Sequence, residues 1–237
     1  MMRIVGALRR GTMLSEPNLG SSAADTASEK SMIVEMRTYT LQPGTVGQFE
    51  ERFGAALAVR AKLSPLAAFW HTEVGPLNRV IHVWPYKDFE ERTRVRAESQ
   101  KLQGWPPNTR EFVVEQKSEV FLPAPFSPKL EPRQLGGLYE IRLYTLKPGG
   151  IPGVIDRWST AIADRVKLSP LAFAGHSEFG GLNRWCHIWA YKDAAERFAV
   201  REKARKEGIW PPKGGQPGQT LVQENMLVVP AAFSPLH

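Results

Sequence analysis

Residues 35–44 read Glu-Met-Arg-Thr-Tyr-Thr-Leu-Gln-Pro-Gly, and residues 140–149 read Glu-Ile-Arg-Leu-Tyr-Thr-Leu-Lys-Pro-Gly. The offset of 105 positions persists outward from this stretch. Arg60-Ala-Lys-Leu-Ser-Pro-Leu66 falls on Arg165-Val-Lys-Leu-Ser-Pro-Leu171, and Leu77-Asn-Arg79 falls on Leu182-Asn-Arg184. Tyr86-Lys-Asp88 meets Tyr191-Lys-Asp193, and Trp105-Pro-Pro107 meets Trp210-Pro-Pro212. From Glu35 to Pro107 there are 36 identities in 73 ungapped positions. The chain is therefore a tandem duplication, with too few copies for a solenoid.

Each copy reads as strand, helix, strand, strand, helix, strand. Residues 32–41 are rich in β-formers and stop at Pro43-Gly44. Phe49, Phe53, Leu57 and Ala61 form a helical stripe, matched by Val154, Trp158, Ile162 and Val166. Pro65 predicts the end of that helix, because the residue before a proline avoids the helical region. Residues 66–74 and 79–86 form a predicted hairpin around 75–78, with 180–183 as its counterpart. Asp88 with Glu91, and Asp193 with Glu196, have the spacing of a helix N-cap and its reciprocal acid. Final strands are expected near 112–122 and 220–229. The expected segments are an N-terminal extension over 1–31, a first domain over 32–122, a proline-rich linker over 123–137 and a second domain over 138–237. The fold class is α+β: two tandem ferredoxin-like βαββαβ repeats. Helices cover only one face of each sheet, so the bare faces are expected to stack as one intramolecular, pseudo-symmetric barrel.

The composition excludes several classes. The net charge is +7, with 31 basic and 24 acidic residues, but the two signs are interspersed and no Lys/Arg run exists. A nucleic-acid partner would want a one-signed stripe, so none is expected. The single cysteine, Cys186, precludes an intrachain disulfide and a CxxC zinc site, and its apolar strand suggests a buried spectator. No apolar run approaches the roughly twenty residues of a membrane span. Residues 1–31 are expected to be disordered: an Arg-rich start and a small, polar continuation fit either a transit segment or an over-extended start before Met32. A cytoplasmic location is expected, with mitochondria as the alternative.

Side chains alternate across a strand, so parity sorts the candidate residues. Met36 and Thr38, with Ile141 and Leu143, are assigned to the helix-covered face, as are Ile81, Val83, Cys186 and Ile188. Glu35, Arg37, Tyr39, Glu140, Arg142 and Tyr144 then point into the space between the sheets, with Val80, His82, Trp84, Trp185, His187 and Trp189. A four-residue hairpin loop would pair 74 with 79, setting His71 opposite His82 and His176 opposite His187. Glu73 and Glu178 share their face. Asn78 with Arg79, and Asn183 with Arg184, sit at the hairpin ends and could fork onto a carboxylate or phosphate. The polar positions match between the copies while the apolar ones drift. Two readings stay open: a pocket that binds a small polar or aromatic ligand or performs acid–base work through His71, His82, His176 or His187, and a buried ion-pair network that docks the halves. No metal site and no cofactor is expected, haem included.

The opening Glu-Met-Arg-Thr-Tyr-Thr-Leu-x-Pro-Gly, with Leu-Asn-x-hydrophobic-x-His-hydrophobic-Trp-x-Tyr further on, resembles the NIPSNAP family in both copies. The resemblance runs from Met32 to the end and makes the chain two tandem NIPSNAP-like domains. It implies the dimeric α+β barrel superfamily but no defined reaction and no catalytic residues to carry over. Eukaryotic members are associated with mitochondria, vesicle traffic and mitophagy signalling, and related barrels include cofactor-independent monooxygenases and haem enzymes. The expected function is accordingly ligand binding in the inter-sheet pocket. A cofactor-independent monooxygenase- or isomerase-type enzyme is one alternative. An interaction or trafficking module with a structural polar core is another. A homo-oligomer or a protein partner is possible.

Overall fold

A computed structural model describes residues 32–237; the expected N-terminal extension lies outside the described residues. The first copy runs β1 (Ile33–Leu41), α1 (Val46–Arg60), β2 (Ala68–Val74), β3 (Arg79–Tyr86), α2 (Phe89–Ser99) and β4 (Val113–Pro123). The second runs β5 (Leu138–Leu146), α3 (Gly150–Arg165), β6 (Leu171–Phe179), β7 (Arg184–Tyr191), α4 (Ala194–Lys206) and β8 (Thr220–Pro230). Asp88 and Asp193 cap α2 and α4 by accepting from the amides of Glu91 and Glu196. Glu91 reaches back to the amide of Lys87, so the reciprocal pair forms one residue ahead of the cap. Among the described residues no helix is long and apolar enough to cross a membrane.

The strands close in the order β1-β3-β2-β8-β5-β7-β6-β4. Closure depends on the last strand of each copy. β4 pairs with β1 over Val34↔Phe121 to Leu41↔Val113, then passes to the other copy and pairs with β6 at Val120↔Phe179 to Pro123↔Gly175. β8 does the same between β5 and β2. The exchange continues past the strands. Ala124 donates to the carbonyl of Ala174, Ser127 accepts from the amide of Ala174, and Phe126 stacks on Trp158 at 6.1 Å. Reciprocally, Ala231 donates to the carbonyl of Phe69, Ser234 accepts from the amide of Phe69, and Phe233 lies 4.9 Å from the Phe69 ring. Phe126-Ser127-Pro128 and Phe233-Ser234-Pro235 are thus one repeated clasp, and the stretch expected as a linker begins with it.

The parity of the strands is as expected, but the faces are exchanged. Val34, Met36, Ile81, Val83, Ile141, Leu143, Cys186 and Ile188 fill the barrel interior together with Trp70, Phe121, Tyr139 and Phe173. Val80, Trp84 and Phe69 pack instead beneath α1 and α2 with Phe49 and Phe53; Trp185 and Trp189 pack beneath α3 and α4 with Trp158. Glu35, Arg37, Tyr39, His82 and their counterparts share that helix side. The inside of a closed barrel meets neither solvent nor a helix, and an ion there would lack a partner at a cost of several kcal/mol. The helices carry the arginines that satisfy the glutamates, so the polar face goes to the helices.

The hairpin register also differs. His71 pairs with Val80 and Phe69 with His82; in the second copy Ala174 pairs with His187 and His176 with Trp185. Neither histidine pair is cross-strand. The end of β2 is taken by β8, where Val74 pairs with Leu227, so the turn back into β3 widens. Gly75 and Asn78 close it with positive φ of 116° and 56°, conformations that glycine and asparagine tolerate best.

Candidate functional site: two arginine-lined cavities beneath the helices

Glu35 is fully buried on β1. Its Oε1 accepts from Arg37 Nη1 at 2.9 Å, Arg92 Nη2 at 2.7 Å and Ser118 Oγ at 2.6 Å, and Arg96 Nη1 stands 3.8 Å away. Burial alone would raise its pKa, but the hydrogen bonds from Arg92 and Ser118 and the charge of Arg37 hold it at about 2. Arg37 also donates through Nε to the hydroxyl of Tyr39 at 2.8 Å. Arg60, only 3 % exposed at the end of α1, lies 4.4 Å over the Trp84 ring and donates to Ser64 Oγ and to the Tyr86 hydroxyl. Burial lowers its pKa.

Three guanidiniums, those of Arg37, Arg92 and Arg96, therefore contact one carboxylate, and the Arg60 guanidinium adds a fourth positive charge that has no acid in contact with it. Beside this cluster lies a cavity of about 680 Å³ between the sheet and the helices. Arg37, Arg60 and Arg96 line it with Tyr39, Phe53, His82, Trp84, Tyr86 and Trp105. The second copy repeats the arrangement around about 670 Å³. Glu140 accepts from Arg142 and Arg197 at 2.6 Å each and from Asn225 at 3.0 Å, and its pKa is also held at about 2 against burial. Arg165 lies 4.0 Å over Trp189 and donates to Ser169. Arg142, Tyr144, Arg165, His187, Trp189, Arg201 and Trp210 are the lining counterparts.

The histidines take different roles. His82 Nδ1 lies 2.7 Å from the indole Nε1 of Trp84, and His187 Nδ1 lies 2.8 Å from that of Trp189. An indole only donates, so each Nδ1 must accept and each proton sits on Nε2. Burial, then the charge of Arg37, lowers the pKa of His82 to about 3; burial and Arg142 lower that of His187 well below its ordinary value. Both rings are neutral at pH 7. His71, by contrast, hydrogen-bonds Glu50 on α1 at 2.8 Å, and this contact raises its pKa. His176 is partly buried and its pKa is lowered by burial.

Of the residues nominated from sequence, the fold gathers Glu35, Arg37, Tyr39, His82 and Trp84 at one cavity and Glu140, Arg142, Tyr144, His187 and Trp189 at the other. It leaves out Glu73 and Glu178, which are exposed on the hairpins. Asn78 and Asn183 have a backbone role, accepting from Leu41 and Leu146 through their carbonyls. Arg184 pairs with Glu119 and with Glu224 at 3.4 Å. Sequence reasoning missed Arg60, Arg92, Arg96, Tyr86 and Trp105 and their counterparts Arg165, Arg197, Arg201, Tyr191 and Trp210. The signal was present, since all five are identical across the duplication. Among the described residues no three His, Cys, Asp or Glu side chains converge as a metal ion would require.

The NIPSNAP family model matches this chain twice, over residues 34–128 and 139–235. The chain belongs to the NIPSNAP family. Both matches run through the repeated clasp. Human protein NipSnap homolog 3B is 34 % identical over 211 residues, covering 85 % of each chain. The NipSnap homolog of Dictyostelium discoideum is 27 % identical over 193 residues, covering 80 % of this chain and 82 % of its own. Among solved structures, a putative monooxygenase from Fusobacterium nucleatum superposes with a TM-score of 0.59 over 85 % of this chain and 93 % of its own. At 9 % identity that likeness concerns the fold alone.

Proposed function

We propose that this NIPSNAP protein binds small organic anions with a flat or apolar body, one in each cavity beneath the helices. The observation that carries the reading is the charge imbalance: three guanidiniums contact one buried carboxylate in each copy, and a fourth, Arg60 or Arg165, is buried with hydroxyls, not acids, as its partners. The second cavity adds Glu202 and Arg205, which offset one another. A network that only fixed the packing would be charge-matched, because an unmatched buried cation costs free energy. Cavities of about 680 and 670 Å³ are of the size that ligand sites have, and Trp84 and Trp105, with Trp189 and Trp210, give each an aromatic wall. In this reading the ligand lies between sheet and helices, not between the sheets as the sequence suggested.

An acid–base enzyme relying on His82 or His187 is less well supported. A base needs a free lone pair within reach of its proton, and in these rings Nδ1 is engaged by an indole while Nε2 carries hydrogen.

Isothermal titration with 2-naphthoate and with its uncharged analogue 2-naphthylmethanol tests the reading. The acid is expected to bind at two sites per chain, and the alcohol at least about tenfold more weakly, the scale of a lost charge-assisted contact. Arg96→Ala with Arg201→Ala should weaken naphthoate similarly while leaving the protein folded, since both side chains are the most exposed of their clusters. Equal affinity for the two compounds, or no effect of the double variant, refutes the proposal.

A further inference from the structure

Each cavity wall holds one histidine donor that no partner among the described residues satisfies. His82 Nε2 and His187 Nε2 are buried and have no hydrogen-bond partner. Both carry a hydrogen, because each Nδ1 accepts from its indole. The surroundings explain why the protein leaves them unmet: the His82 ring contacts Tyr39 edge to face at 4.9 Å, Phe53 at 5.3 Å and Phe69 at 5.9 Å, and His187 meets Tyr144 at 5.0 Å and Trp158 at 4.8 Å. A buried donor without an acceptor costs on the order of 1–3 kcal/mol. A phenylalanine at that place would remove the unmet Nε2 donor but leave the indole Nε1–H without its acceptor; the histidine and its tryptophan partner stand at the same place in both copies.

Resting on the anion-binding reading, we propose that the ligand of each cavity carries, beside its acidic group, a neutral hydrogen-bond acceptor of the carbonyl class, read by the Nε2–H of His82 or His187. The arginines are suited to the acid. Arg37 gives one N–H to Glu35 while Arg96 stands 3.8 Å from it, and both side chains line the same space as the imidazole. A neutral imidazole cannot hold an anion as the guanidiniums do, but it discriminates sharply for an acceptor, because a ligand lacking one leaves the donor buried and unpaired. The class is therefore aryl or acyl oxo acids. The tryptophan sets the tautomer and so makes the wall histidine a donor through Nε2; in this proposal Trp84 and Trp189 are positioning residues for the contact.

The test uses paired probes: phenylpyruvate against 3-phenylpropionate, 4-oxo-4-phenylbutanoate against 4-phenylbutanoate, and 5-oxo-5-phenylpentanoate against 5-phenylpentanoate. Calorimetry on the full chain should show at least one oxo acid binding about five- to tenfold tighter than its methylene partner. That preference should vanish in His82→Phe with His187→Phe and persist in His82→Gln with His187→Gln, which keeps an N–H donor. Where the phenylalanine variant does not fold, the imidazole 15N–1H resonances of the wild type give the answer, since the Nε2–H signal should move downfield with the preferred oxo acid. Binding of all six acids with no pair differing by more than about twofold overturns this inference and leaves the anion site standing. A preference that survives the phenylalanine variant, or a stationary Nε2–H signal, also overturns it. No binding by any of the six brings down the anion-site reading itself.

Discussion

Replacing Glu35 by Gln removes the one carboxylate at the centre of the first cluster while keeping its shape. Two features set the size of the effect. Glu35 has no exposed surface and accepts from Arg37, Arg92 and Ser118, and breaking a buried ion pair by removing one partner costs about 3–5 kcal/mol. Independently, its pKa falls from 4.5 to about 2 on folding, and every tenfold gain in acidity is worth about 1.4 kcal/mol, giving about 3 kcal/mol at neutral pH. The two routes agree. A carboxyl whose folded pKa is depressed contributes its full stability above the unfolded value and loses it as pH falls towards the folded one. Urea denaturation should therefore show Glu35→Gln less stable than wild type by about 3 kcal/mol at pH 7. The gap should shrink to about half by pH 3, as the wild type loses its own advantage. The loss should centre on α2, because Arg92 and Arg96 on that helix are what Glu35 holds, and hydrogen exchange should report faster opening there than in β5–β7. A variant within about 1 kcal/mol of wild type at pH 7, or a gap independent of pH, would show that the buried carboxylate does not anchor the helix as described.

Acid stability offers a second check. His82 and His187 are depressed far below 6.5 on folding, so the unfolded chain takes up protons there first. Each histidine then contributes a fall of about 1.4 kcal/mol per pH unit below pH 6, until its folded pKa is reached. His82→Gln with His187→Gln should flatten the stability profile between pH 6 and pH 4; an unchanged slope would rule out the buried neutral imidazoles. His71, whose pKa is raised by Glu50, acts in the opposite sense, its contribution fading as pH rises past its folded pKa. The clasp gives a third check. Phe233→Ala removes a ring stacked on Phe53 and tilted against Phe69 and should cost about 2 kcal/mol, below the value for a fully buried phenylalanine because Phe233 is partly exposed. Ligand affinity should fall at the first cavity, whose wall Phe53 forms, and stay at the second; equal loss at both would contradict the reciprocal exchange.

The duplication, the βαββαβ order, the N-caps and the split of each strand into two faces were all legible, because each is a local pattern of spacing. Which face meets which layer was not. That choice depends on what the second layer carries, and the deciding residues, Arg92 and Arg96 on α2, lie more than fifty positions from the Glu35 they satisfy. A helix with an arginine at i and i+4 reads by itself as a solvated face. Only set beside a buried-strand glutamate does it read as a partner. The hairpin register escaped for a similar reason: the four-residue turn suited local chemistry, but β8 from the other copy claims the end of β2. The clasp motif escaped because its offset is 107 positions, not 105, after the insertion ahead of β8.

The exchange of faces changes what the identities between copies mean. In the barrel interior both copies face one another, so volume has only to be right in sum. Trp70 and Tyr139 lie 5.1 Å apart there, and their counterparts are Gly175 and Val34. Phe173 likewise answers to Ala68. Large in one copy is compensated by small in the other, and the apolar positions drift. Beneath the helices the apolar positions also drift, Phe69 and Val80 answering to Ala174 and Trp185, but the polar ones cannot be shared between copies. Each cavity is lined by the sheet and helices of a single copy, so each must hold its own glutamate, its own arginines and its own histidine–tryptophan pair. The identity of Arg37, Arg60, Arg96, His82, Trp84 and Trp105 with their counterparts follows from that self-sufficiency. A single site shared across the pseudo-twofold axis would have let the copies divide those roles between them. Their repetition is what the proposed reading requires of two complete sites, and it sets the polar residues of the cavities apart from the apolar residues of the barrel.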